Sequence, residues 1–215
     1  MLPGFSLKRE ALIWLIILAP LIYMFIIWDQ LPAQIPTHWN LRGEVDNYGS
    51  PLVLPGINAL LYIVFLVLPL FDPRKRNYDF FASSYYKIRL FIAIFLSGMA
   101  IISILVGLGH AIDVPRVVLV AVMGLLAILG NYMKTVQPNW FVGFRTPWTL
   151  ENETVWRKTH RLGGRLWFAG GLLGLVLAML LPSTWLAPLM LILIGILVLV
   201  PTVYSYRLYQ QVKAT

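Results

Sequence analysis

The chain has 215 residues, of which 59% are hydrophobic and only 12% are charged, and its mean hydropathy is +0.77. A soluble domain is near half apolar and about a quarter charged, so this composition excludes a soluble globular protein and specifies an integral membrane one. There is no cysteine, which excludes disulfides and thiol chemistry, and the net charge of +8 is matched by anionic lipid on the inner membrane face, with no direct nucleic-acid partner required.

A membrane span takes about 20 apolar residues. Six segments qualify in chain order, at about 10–28, 52–71, 88–109, 117–133, 166–181 and 185–206. The first follows only Lys8 and Arg9 and lacks a small-residue cleavage site, so it reads as an uncleaved span rather than a signal peptide. Pro20 and Pro201 lie inside spans, where they kink a helix rather than end it. Gly170 and Gly174 form a GxxxG pair that permits close helix contact.

Orientation follows from the 17 Lys and Arg residues. With both termini in the cytoplasm, all but Arg42 and Arg116 fall inside, as the positive-inside rule requires. The expected fold is therefore all-α, a polytopic integral membrane protein with six transmembrane helices and both termini cytoplasmic. Residues 1–71 hold the first two spans and an outward-facing polar loop, 29–51. Residues 72–133 hold spans three and four, 134–165 form a cytoplasmic polar and aromatic loop with an amphipathic helix, and 166–215 hold spans five and six.

The outer loop reads "DQLPAQIPTHWNLRGEVDNYGSP". Pro32 and Pro36 stiffen it, and the Asn, Asp, Gly and Ser that follow build turns through side-chain to backbone bonds. His38, Glu44 and Asp46 invite a metal reading, but one histidine with two carboxylates is a poor site, and no metal is expected. The loop is either a compact cap with His38 and Trp39 at headgroup level or a ligand-recognition surface.

The inner segment reads "NYMKTVQPNWFVGFRTPWTLENETVWRKTHRLGGRLW". Pro138 and Pro147 bound an ordered loop, and Gly143 permits a turn. Helix then resumes with Thr149 or Asn152 as N-cap and Glu151 and Glu153 in the first turn. Trp156, His160, Gly163 and Trp167 share one face, with Arg157, Arg161 and Arg165 as a separate basic stripe. This pattern predicts a helix lying on the membrane surface that bends at Gly163 and Gly164. His160 is expected to be a satisfied polar residue. The Arg145 fork either caps helix carbonyls or engages a partner's carboxylate.

Chemistry-bearing patterns are otherwise sparse. No ionisable residue falls near the middle of a span, with Arg89, His110 and Lys134 at span ends, whereas pumps and coupled transporters carry such groups at depth. The polar residues there are Asn58, Ser97 and Ser103. There is no HExxH, no GxSxG and no pair of membrane aspartates. We therefore expect no catalytic residue and no cofactor. Two other readings stay open: a small transporter or exporter of a peptide or lipid-like molecule with Asn58 lining its path, and a membrane enzyme pairing His38 or His160 with a carboxylate.

Two motifs carry a family resemblance. "IPTHWNLRGEVDNYGS" resembles a small domain of unknown function at the start of many bacterial membrane proteins. "GNYMKTVQPNWFVGFRTPWTLENETVWRKTHRLGGRLW" resembles the signature of the SdpI family, named for the membrane protein that confers immunity to the sporulation-delaying protein toxin. The resemblance implies a bacterial plasma-membrane protein that resists a secreted, membrane-acting peptide toxin. It further implies a receptor that, on engaging toxin, holds a transcriptional repressor at the membrane. The outer residues it implicates in toxin recognition are Pro36, His38, Trp39, Asn40, Gly43 and Asp46. The inner-face residues are Asn131, Pro138, Asn139, Trp140, Gly143, Arg145, Thr146, Pro147, Trp148, Trp156, His160, Arg161 and Gly163. One departure is Pro51, where the outer motif commonly has a basic residue after Ser50.

Overall fold

The computed structural model describes residues 6–40 and 42–214. Six of its helices are long and apolar enough to cross a membrane: α1 (Leu7–Ile26), α2 (Val53–Phe71), α4 (Ala82–Gly107), α5 (Val114–Met133), α7 (Glu153–Leu180) and α8 (Ser183–Lys213). Two short helices, α3 (Asn77–Phe80) and α6 (Pro147–Glu151), belong to the connections at one end of the bundle. The six expected spans are thus present. The all-α expectation is corrected at one place, because β1 (Ile35–Trp39) and β2 (Val45–Gly49) pair antiparallel at the opposite end. Alternating Thr, Trp, Val and Tyr residues suit strands, and register shifts follow Pro36 and His38, where a proline lacks the N–H that a regular ladder needs.

The helices form two sub-bundles. In the first, Ile13 and Ile17 of α1 pack with Tyr62 of α2 and Ala93 of α4. Asn58 donates to the Ala93 carbonyl at 3.2 Å and to Ser97 Oγ at 2.8 Å, and Ser97 donates to the Ile16 carbonyl at 2.9 Å. These residues clasp three helices, and Asn58 is buried rather than lining a path. Below them Glu10 and Arg89 form a buried ion pair, although the span-end reading had treated Arg89 as a boundary residue.

In the second sub-bundle, Leu119 and Met123 of α5 pack with Ala178 of α7 and with Leu186 and Leu193 of α8. Glycine sets the spacing of α5 and α7. A Cβ on Gly130 would lie 2.7 Å from the Gly164 carbonyl, and one on Gly171 would lie 2.5 Å from the Met123 carbonyl. The expected GxxxG pair is split between two neighbours, since Gly170 faces Leu197 of α8 and Gly174 faces Met123 of α5.

The expected bend at Gly163 and Gly164 is absent: α7 is continuous over 28 residues, about 42 Å at 1.5 Å per residue, longer than the ~30 Å hydrocarbon core. Its first turns therefore extend past the apolar layer and pack on protein instead of lying on lipid.

Candidate functional site

At one end of the bundle the β-hairpin is seated on two helices. Ile35 is 1% exposed and packs where a Cβ on Gly107 of α4 would lie 2.7 Å away. Ser103 Oγ of α4 donates to the buried Pro36 carbonyl. The turn is organised by Asn40, whose Oδ1 accepts from the backbone N–H of Arg42 at 2.8 Å and of Glu44 at 3.1 Å. Its Nδ2 donates to Glu44 Oε2 at 2.9 Å. Gly43 has φ +81, and a Cβ there would lie 2.4 Å from Pro115 Cγ of α5, so only glycine lets this turn rest on α5.

The exposed surface carries His38 with its Nδ1 2.6 Å from Asp46 Oδ1. Trp39 and Asn40 line a cavity of about 300 Å³ whose other walls include Met99 of α4, Val118 of α5 and Met190 of α8. The six outer residues singled out by sequence thus lie on one hairpin. Glu44 turns to Asn40 rather than to His38, and no group of metal-binding side chains is present among the described residues.

Arg116 of α5, one of the two basic residues expected outside, is spent on structure. Its guanidinium donates to the Ala178 carbonyl near the end of α7 and to Leu181 O at 3.2 Å. Cations are favoured at helix C-termini, where carbonyls lack partners. Asp113 caps α5 through the Arg116 N–H at 3.2 Å. The hydrogen bond from Ser183, followed by those from Arg116, holds the Asp113 carboxyl below its ordinary range.

At the opposite end, residues 134–146 wrap into a loop around Asn139, which is fully buried. Its Oδ1 accepts from the N–H of Phe141 at 2.9 Å and of Val142 at 2.6 Å, and its Nδ2 donates to the carbonyls of Gln137 at 2.8 Å and Val142 at 3.0 Å. A short segment after α2 fixes this loop. Asp72 accepts from the Trp140 N–H at 2.9 Å and from the Tyr78 hydroxyl at 3.0 Å. Asn77 donates to the Pro138 carbonyl at 2.6 Å, and Arg74 to the Leu150 carbonyl at 2.7 Å. Burial, and then the neighbouring Asp72 carboxylate, push the Tyr78 phenol far above its ordinary value, so it stays a donor. The polar tract "DPRKRNYDF" was the signal available for these residues.

The aromatic face of α7 closes over the same loop. Trp156 is wholly buried, donates to the Val136 carbonyl at 2.8 Å and stacks on His160 at 4.0 Å. His160 Nε2 accepts from the Phe144 N–H at 3.0 Å, so Nδ1 carries the proton and donates to the Trp156 carbonyl at 2.8 Å. His160 is therefore a satisfied neutral ring with no carboxylate beside it. Gly143 and Gly163 make this seat possible: a Cβ on Gly143 (φ +109) would lie 2.1 Å from His160 Nε2, and one on Gly163 would lie 2.2 Å from Phe144 Cε2.

Thr146 caps α6 in a capping box with Thr149, with Pro147 in the first turn, and Asn152 caps α7. Trp148 Nε1 donates to Ser205 Oγ of α8 at 2.5 Å. Five signature residues are exposed: Asn131, Trp140, Arg145, Pro147 and Arg161. Arg145 is exposed and its Nη1 donates to the Trp140 carbonyl at 2.8 Å, and Trp140 is 47% exposed. Asn131 and Arg161 take no part in the loop and meet elsewhere, in a groove between α5 and α7.

Comparison with known proteins agrees with this two-ended arrangement. The SdpI/YfhL protein family matches residues 135–205, which take in most of the loop around Asn139, α7 and much of α8. A domain of unknown function (DUF1648) matches residues 15–61, which contain the hairpin. The chain is 24% identical over 212 residues to the immunity protein SdpI of Bacillus subtilis (strain 168), covering 97% of this chain and all of that relative. No solved structure matches it. The resemblance read from the two motifs thus extends over nearly the whole length, and the chain is a multi-pass bacterial membrane protein similar to SdpI.

Proposed function

We propose that this protein confers immunity to a secreted, membrane-active peptide toxin and carries the signal across the membrane, without catalysis. The hairpin faces outward and is the receiving surface; the loop around Asn139 faces the cytoplasm with both termini. The basic asymmetry supports that orientation, since 15 of the 17 Lys and Arg residues belong to the loop end or the termini.

The observation that carries the reading is the cavity of about 300 Å³ under the hairpin. Its polar rim, Thr37, His38 and Asn40, stands over an apolar floor from α4, α5 and α8. A membrane-active peptide must present apolar side chains next to polar backbone, and this site offers partners for both. Gly43 against Pro115 makes the floor continuous with α5, which ends at the inner loop. There the exposed Arg145 and Trp140 offer a planar cation and an aromatic ring, side chains enriched where proteins meet. A cytoplasmic transcriptional repressor is the partner this surface would hold.

The test is protection of toxin-exposed cells, read as retained membrane potential. Cells expressing the wild-type chain should keep their potential without exporting the toxin. Trp39→Ala at normal membrane abundance should lose protection; energised efflux of toxin by the wild type would favour a transporter instead.

A further inference from the structure

The groove where Asn131 and Arg161 meet lies between the loop end of α5 and the first half of α7. It has a volume of about 380 Å³ and is lined by Gly130 and Asn131 of α5, by Lys134 just beyond its end, and by Arg161, Gly164, Arg165 and Phe168 from α7. Gly130 and Gly164 form its base, with the two helix backbones so close that a Cβ on either would lie 2.7 Å from the other's carbonyl. That contact brings cations from the end of α5 and from α7 to one opening. Arg161 and Arg165 are one turn apart, and Lys134 follows Asn131 by three positions, so all four project from adjoining faces.

Three features separate this groove from an ordinary solvated face. First, the ion pairs formed among the described residues are His38 with Asp46, Arg89 with Glu10 and Arg116 with Asp113, so Lys134, Arg161 and Arg165 converge with no carboxylate between them. Second, Asn131 and Arg161 belong to the inner-face signature, yet neither holds the loop together. Third, Phe168 lies one turn deeper than Arg165 and is 46% exposed, followed by exposed Leu172 at 45%. The groove is thus cationic at its mouth and apolar below, which is the order of an anionic lipid crossing from headgroup to acyl chain.

We propose that this groove is a binding site for a phosphate-bearing anion, the headgroup of an anionic phospholipid. Arg161 and Arg165 provide guanidinium forks suited to phosphate oxygens, Lys134 adds a point charge, Asn131 donates to a headgroup hydroxyl or phosphate oxygen, and Phe168 takes the first acyl methylenes. The proposal is independent of toxin immunity.

The experiment uses the full chain in neutral detergent, titrated with phosphatidylglycerol and read by native mass spectrometry and by the thermal midpoint. Arg161→Gln with Arg165→Gln is compared with Arg157→Gln with Lys158→Gln, which removes the same charge from exposed positions outside the groove. The wild type should retain one phosphatidylglycerol in preference to phosphatidylcholine. The groove variant should bind it roughly thirtyfold more weakly, and the control variant should bind it as the wild type does. Glycerol phosphate, which lacks acyl chains, is the second arm: failure to compete at millimolar concentration supports a lipid, whereas competition equal to that of phosphatidylglycerol assigns the groove to a soluble phosphate. Equal weakening in both variants, with unchanged thermal midpoints, would overturn the site and leave only diffuse surface attraction.

Discussion

Arg89 of α4 holds Glu10 of α1 with both ends of its guanidinium, at 2.8 and 2.9 Å, across 79 positions of chain. Tyr62 of α2 donates to the same carboxylate at 2.6 Å, and the Tyr85 and Tyr62 rings flank the guanidinium at 5.4 and 5.8 Å. Three helices therefore share one buried charge pair. Breaking such a pair on one side strands a charge and costs roughly 3–5 kcal/mol, whereas replacing both partners with apolar side chains can be neutral. Arg89→Met and Glu10→Met should each lower the thermal midpoint sharply in detergent, and the double variant should recover most of the loss. Single variants that melt like the wild type would remove the pair from any role in holding α1 to α4.

The seat of the inner loop gives a second expectation. Gly143→Ala meets both a left-handed backbone angle and the His160 ring, so it should destabilise by about 1–3 kcal/mol. Adding His160→Ala relieves the steric part only, so the two effects should be non-additive. Limited proteolysis within residues 134–146 reads the seat directly.

Arg145 behaves differently. It is exposed and makes one hydrogen bond to a neighbouring carbonyl, so Arg145→Ala should change stability by no more than about 0.5 kcal/mol. Recruitment of a cytoplasmic partner should fall while protection persists, and Arg145→Lys should not restore it fully, because the planar fork is lost. A large drop in thermal midpoint would make Arg145 a structural residue and sink its signalling role.

Acid should loosen the hairpin end through Asp113. Its folded-state pKa lies below the ordinary 3.8, through the Ser183 and then the Arg116 hydrogen bonds. The sign follows: the contribution is present above 3.8 and is lost as pH falls through the lower folded value. Asp113→Asn should lower the thermal midpoint at neutral pH and make the remaining acid dependence shallower. An acid limb unchanged in this variant would assign it to other carboxylates.

Orientation is testable in a chain without cysteine. Asn47→Cys on the hairpin should react with an impermeant maleimide in intact cells, and Lys158→Cys should react only after permeabilisation. Lys158 is preferred to Asn152, whose side chain caps α7 through the N–H of Thr154 and Val155. The reverse labelling pattern would invert the topology.

The six spans were legible because twenty-residue apolar runs have few alternatives in a membrane. The Glu10–Arg89 pair was not, since ionisable residues near a span end look like its boundary until another helix supplies the opposite charge. The hairpin was hidden by Pro36 and by a tract whose turn residues also suit an irregular cap. The α7 helix was read as bending at Gly163 and Gly164 because its aromatic stripe matched a lipid-facing one. Phe144 and Val136, brought in by Asn139 and Asp72, take the place that lipid was given. On the inner loop, residue types at fixed spacing marked the right region, but the partners from 72–78 come from a distant segment and leave no local period.

The 20 residues of α5 form a strut about 30 Å long, with Pro115 under the hairpin turn and Gly130 against α7. Neither bearing has a long side chain that could change rotamer and absorb movement: one is a proline ring against a glycine, the other is backbone on backbone. A load applied to the Gly43 turn is therefore delivered along the axis of α5 to the helix that seats the inner loop. The stiffness of the whole assembly is set by its glycines.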